Sequence, residues 1–98
     1  MKHSAQIDPG HPALAGHFPG NPIVPGVVLL DLAIAAFCTE QGHPCTIQKI
    51  LSVKFLSPLQ PGVTVNFSFD ISNHVAQFTG KSGERTIISG QMEFSLEP

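Results

Sequence analysis

Val27-Val28-Leu29-Leu30-Asp31-Leu32-Ala33-Ile34-Ala35-Ala36-Phe37-Cys38 is the stretch whose reading decides the fold. It is too long for one ordinary strand, it opens behind Pro25-Gly26, and Gln41-Gly42 with Pro44 beyond gives it the ending of a helix. Apolar residues fall on every side of that helix. A cylinder of this kind must be wrapped by other elements rather than laid on a surface.

The residues downstream supply the wrapping. From Ile47 to Phe55 every second residue, Ile47, Leu51, Val53 and Phe55, is apolar apart from Lys49, which reads as one face of a strand. Pro58 and Pro61-Gly62 interrupt it. Val63, Val65, Phe67, Phe69 and Ile71 then alternate with polar residues, Ser72-Asn73 predicts a hairpin turn into residues 74–81, and Ser82-Gly83 predicts the next. In the last strand Thr86, Ile88, Met92, Phe94 and Leu96 define one face, with Gly90 marking a bend. Residues 3–8 read as a short first strand, ended by Pro9-Gly10. One enclosed helix followed by an antiparallel meander predicts a single α+β domain over 1–98, in which the sheet curls around the helix.

Upstream of the helix, half of the 18 positions from Pro9 to Gly26 are Pro or Gly, so the segment is a stiff loop rather than a helix. A loop of this length in so short a chain points to function.

Composition narrows the function. Only 12% of the 98 residues are charged against 42% hydrophobic, too few charges to coat a monomer, which predicts an apolar subunit interface. A net charge of -2 and five scattered Lys and Arg argue against a nucleic-acid partner. No signal-peptide pattern or membrane span is read, so the expectation is a soluble cytoplasmic protein with no membrane partner. Cys38 and Cys45 lack CxxC spacing and read as reduced thiols, Cys38 acting as a small hydrophobe. His3, His11, His43 and His74 are dispersed without metal-ligand spacing, so neither a metal site nor a cofactor is expected.

Asp31 is the one ionisable residue between Val27 and Cys38. A carboxylate buried among Val27, Val28, Ile34 and Ala35 is costly unless paired, protonated or retained for function. His17, held between Gly16 and Phe18 in the stiff loop, offers an imidazole poised near neutral pH as a general base. Gly26 sits where free helix N-terminal amides can polarise a carbonyl. A rigid base, a carboxyl and a helix N-terminus suit proton abstraction beside a carbonyl followed by loss of a hydroxyl.

The segment Gly16-His17-Phe18-Pro19-Gly20-Asn21-Pro22-Ile23-Val24-Pro25-Gly26-Val27-Val28-Leu29-Leu30-Asp31 resembles the signature of the FabZ/FabA family of 3-hydroxyacyl-acyl-carrier-protein dehydratases. The resemblance continues through Val53-Lys54-Phe55-Leu56-Ser57-Pro58-Leu59-Gln60-Pro61-Gly62. It implies the hot-dog fold, an antiparallel sheet around one long central helix. It implies that His17 and Asp31 are catalytic, that the Gly26 amide binds the thioester carbonyl, and that Phe18 and Pro25 lie in the same substrate site. In the family His17's counterpart removes a C2 proton while the carboxyl, often through a water, helps the C3 hydroxyl depart. Burial of Asp31 would favour its protonated form and an acid role. The implied partners are an acyl carrier protein bearing a 3-hydroxyacyl phosphopantetheine thioester and a second copy of the chain, with His from one subunit and the carboxylate from its neighbour. The implied pathway is fatty-acid or related acyl-chain biosynthesis.

Asp31 matches the aspartate of the FabA branch, yet the chain is shorter, as in a compact FabZ-like or aryl-polyene-type dehydratase. Leu56 stands where a basic residue is common, leaving Lys54, Lys81 or Arg85 for an acidic carrier. Two other functions share this framework: a non-catalytic acyl-thioester or carrier-protein binding subunit, and a hot-dog thioesterase. Retention of His17 and Asp31 argues against the first, and the Pro/Gly loop fits dehydration better than hydrolysis.

Overall fold

The computed structural model describes residues 2–7, 23–42 and 45–96. Of the loop expected from Pro9 to Gly26, residues 9–22, with His11, His17 and Phe18, lie outside the described residues, as does His43. The described elements are β1 (Lys2–Ala5), α1 (Gly26–Gln41), β2 (Cys45–Phe55), β3 (Val65–Ser72), β4 (Val75–Ser82) and β5 (Arg85–Leu96). They form one antiparallel sheet in the order β1-β3-β4-β5-β2. Sequential hairpins place β3, β4 and β5 side by side, while β1 and β2 close its two edges.

Alternation in β3 and β4 follows the pleat: Val65, Phe67 and Phe69 are buried, as are Ala76, Phe78 and Gly80, with exposed residues between most of them. Phe37 of α1 carries the helix into this face, meeting Phe69 and Phe94 edge-on at centroid distances of 5.3 and 4.9 Å. Asn73, at φ 56°, and Gly83, at φ 61°, lead the two hairpin turns. Each turn falls one residue later than the sequence predicts, because the left-handed residue takes the first turn position and Ser72 and Ser82 remain in their strands.

Helix α1 begins behind Pro25, whose extended backbone (φ -60°, ψ 147°) and carbonyl serve as the N-cap, accepting from Val28 N at 3.0 Å and Leu29 N at 3.1 Å. It ends at Gly42, whose left-handed φ of 71° needs no Cβ and whose N–H reaches Thr39 O at 3.3 Å. Both ends lie where the sequence puts them.

The enclosure does not. The sheet buries Val28, Leu29, Ala33, Ala36 and Phe37, while Val27, Asp31 and Ala35 form an exposed stripe, Val27 being 67% exposed. One five-stranded layer covers one side of a cylinder, and residues spaced by four stay together on the side it leaves. The expectation of a buried Asp31 is therefore corrected: within one chain this carboxylate faces outward.

β2 supplies a second correction. Its pairing with β5 shifts register between Ile47 and Lys49 and again between Ile50 and Ser52. Each extra residue flips the parity of those after it. Ile47, Ile50 and Val53 consequently pack against the core and Leu51 is 40% exposed, whereas the second shift restores the original parity and leaves Phe55, 51% exposed at the strand's end, on the same face as Val53. In β5 a shift opposite Gly80/Lys81 leaves Ile87 beside Ile88, both fully buried. The last residue of the predicted face, Leu96, is exposed.

Gly90 lies where β2 and β4 approach closely: a Cβ there would strike the Ser52 carbonyl and come within 2.8 Å of the Phe78 ring. Its role is close approach.

Candidate active site

Val24 is buried and its N–H donates to Leu59 O at 2.8 Å, fixing the chain just before the helix. Beyond β2, Leu56 N donates to Ile87 O at 2.8 Å and Leu59 is buried at 1% exposure, so residues 55–59 are held against both β5 and the helix entrance. Between these segments opens a cleft of about 370 Å³, with Gly26 and Leu29 on the helix side and Phe55, Leu56 and Pro58 opposite. The amides of Gly26 and Val27 precede the first intrahelical acceptor bond, which makes them the donors a helix N-terminus presents to a ligand.

Phe55 stands over Gly26. A Cβ at Gly26 would meet its ring at 3.0 to 3.2 Å, and Gly26 is absent from the positive-φ residues. The glycine is required by close approach, not by a left-handed backbone. Sequence reasoning placed Phe55 on the core face and missed it as a site residue. Phe55 keeps that face, opposite Ile88, because the second register shift in β2 cancels the first, and the face runs on past the packed core to the helix entrance.

Of the sequence-predicted residues, the structure brings Gly26 to the cleft and places Pro25 at the N-cap beside it. Asp31 is not at this cleft within the chain. It lies two residues from Leu29, about 200° around the helix at 100° per residue, and so points away from the wall that Leu29 contributes. Among the described residues no cluster of three or more His, Cys, Asp or Glu is arranged to hold a metal.

At the other end of α1 the two thiols are neighbours. Cys38 Sγ donates to Cys45 O at 3.8 Å, both cysteines are free, and both pack against the core. Burial, then the adjoining Cys38 thiol, pushes the Cys45 thiol up to about 12. His3 Nδ1 and Glu40 Oε2, 2.8 Å apart, join β1 to the same end of the helix.

The helix on a curled antiparallel sheet, with a cleft at its N-terminus, is the hot-dog arrangement. Residues 1–91 match the family model described as ApeI-like, ApeI dehydratase, and the chain belongs to that family. It is 33% identical over 88 residues to the 3-hydroxyacyl-[acyl-carrier-protein] dehydratase FabZ of Thermomicrobium roseum, covering 83% of this chain and 58% of that protein. It is 28% identical over 95 residues to FabZ of Haemophilus influenzae, covering 89% and 64%. The chain thus spans about six-tenths of the length of these curated relatives. Among solved structures it resembles a chain of the dehydratase heterocomplex ApeI:P from Xenorhabdus doucetiae, with TM-score 0.80, 27% identity, and coverage of 95% of this chain and 84% of that one. A probable thioesterase from Bartonella henselae shares the fold at TM-score 0.74 and 16% identity, covering 99% and 89%. No helix among the described residues is long and apolar enough to cross a membrane.

Proposed function

We infer that this protein removes water from 3-hydroxyacyl thioesters borne on an acyl carrier protein, giving trans-2-enoyl thioesters in fatty-acid or related acyl-chain biosynthesis. The observation that carries the reading is the apolar cleft at Gly26, where helix amides face the place a thioester carbonyl would enter, in a chain of a dehydratase family. Polarising that carbonyl acidifies the C2 proton, which passes to the His17 imidazole. The C3–O bond then breaks as C2=C3 forms, and the hydroxyl leaves as water with a proton delivered from the Asp31 side.

The outward face of Asp31 supports a site shared between two subunits. A carboxylate on the far side of the helix from Leu29 serves a partner's cleft more readily than its own. Among the described residues no strand lies beyond the outer edge of β2, and Val27, Leu51, Phe55 and Leu56 are large apolar residues left exposed. Edges and patches of this kind favour association, and a second copy of the chain fits the low charge content. That the Xenorhabdus relative belongs to a heterocomplex supports a reading in which this chain also associates with a second subunit.

The test incubates the purified chain with a 3-hydroxyacyl thioester and follows enoyl absorbance and free thiol separately, with native mass measured in parallel. Enoyl product from a homodimer is expected. Free thiol without enoyl product would establish a thioesterase instead, and binding without either product a non-catalytic subunit.

A further inference from the structure

The cleft at Gly26 adjoins a second one. Ile23 and Pro58 line both, and beyond them the second, of about 250 Å³, is bounded by Gln60, Val63 and Arg85. Arg85 is the first residue of β5, just after the Gly83 turn. Its Nη2 donates to Pro58 O at 3.2 Å, which lays the guanidinium along the wall the two clefts share. Ile87, two residues on, accepts from Leu56 N, so Arg85 and the cleft wall are tied into one unit. A guanidinium has five N–H donors, and His3–Glu40 is the one salt bridge among the described residues. Among the described residues Arg85 has no carboxylate partner, so its remaining donors face the second cleft and solvent.

The geometry points to Arg85 as the residue that holds the phosphate of the phosphopantetheine arm while the thioester end reaches Gly26. The assignment rests on the dehydratase reading and deepens it. A carrier arm has an anionic phosphate at one end, a thioester at the other and a largely uncharged chain between. The adjoining clefts have the complementary order: a planar cation, a mostly uncharged passage over Ile23 and Pro58, and helix amides. A guanidinium fork binds phosphate oxygens bidentately, and in a chain of net charge -2 a local cation is needed to attract an anion. The other cations the sequence offered are placed elsewhere. Lys54 lines a depression on the sheet with Gln77, Thr79 and Gln91, and Lys81 is exposed on β4, outside both clefts.

The experiment compares the same 3-hydroxyacyl group on phosphopantetheine and on N-acetylcysteamine, which retains the thioester and lacks the phosphate. Arg85→Gln keeps a donor for Pro58 O and removes the charge. The ratio of kcat/KM for the phosphopantetheine substrate to that for the N-acetylcysteamine substrate is expected to fall about tenfold through KM, with Arg85→Lys recovering part of it. An unchanged ratio would overturn the assignment, whether both substrates suffer equally or neither does. So would an effect confined to intact acyl carrier protein, since Arg85 would then touch the carrier and not the arm. If the wild-type protein turns over neither thioester, the dehydratase reading fails by itself. Equilibrium binding of phosphopantetheine then decides: about tenfold weaker binding to Arg85→Gln upholds the contact, and equal binding overturns it.

Discussion

Replacing Gly26 by Ala separates chemistry from stability at the helix entrance. Gly26 is not left-handed, so alanine fits the backbone and should stabilise by about 0.4–1 kcal/mol through the unfolded state. Against this, the new methyl would lie 3.0 to 3.2 Å from the Phe55 ring. That ring is 51% exposed, so it can turn toward solvent. Full burial of such a side chain is worth about 1.5–3 kcal/mol, and roughly 1 kcal/mol is therefore at stake. The two effects nearly cancel, and the melting temperature should move by less than about 6 °C. Turnover should fall much further, because the methyl and displaced ring crowd the point where the carbonyl must come within about 3 Å of the amides. Losing such a donor costs about 10²–10³ in kcat, and displacement should cost about 10- to 100-fold. Thermal unfolding and the rate of enoyl formation on one preparation make the comparison. An unchanged rate would remove the helix amides from the reaction, while a loss of stability above about 3 kcal/mol would make the Phe55 contact structural.

His17→Ala and Asp31→Asn should each lower dehydration by about 100-fold or more. Asp31→Asn should change the stability of the isolated subunit by no more than about 0.5 kcal/mol, because within one chain the residue is exposed, and chemical denaturation at concentrations where subunits are dissociated checks this. Mixing the two variants with random subunit exchange should restore about a quarter of wild-type activity, since half the dimers then hold one intact site of two; no recovery with exchange confirmed by mass spectrometry would exclude a shared site. Gly90→Ala should destabilise by about 1–3 kcal/mol, because its Cβ meets the Ser52 carbonyl and the Phe78 ring, and a melting temperature equal to wild type would refute that packing. The Cys45 thiol, raised from 9.0 to about 12, contributes stability that is fully present below pH 9, where both folded and unfolded thiols are neutral. Above pH 9 the unfolded thiol ionises first, so this contribution is lost between about pH 9 and 12. Cys45→Ser should flatten the fall in stability over that window, and an identical profile would contradict the raised value.

Features that depend on neighbours along the chain were readable before folding was considered. The helix and both its ends were legible because Pro25, Gly42 and an unbroken apolar run act locally. The β3 face was legible because an unbulged strand keeps a period of two. The family was legible because the residues from Gly16 to Asp31 form one contiguous signature, although His17 and Phe18 fall outside the described structure. Tertiary structure alone decided the rest. A run apolar on all sides does not reveal which side a single sheet covers, so the exposure of Asp31 emerged only when the sheet was in place. The parity of β2 between Ile47 and Ser52 depends on two bulges created by pairing with β5, which put Ile50 against the core and Leu51 outside, and only the packing of helix on sheet sets Phe55 over Gly26. The choice among Lys54, Lys81 and Arg85 likewise required coordinates, because Arg85 meets Pro58 through a hydrogen bond between residues 27 apart, a proximity that chain folding creates and local pattern does not encode.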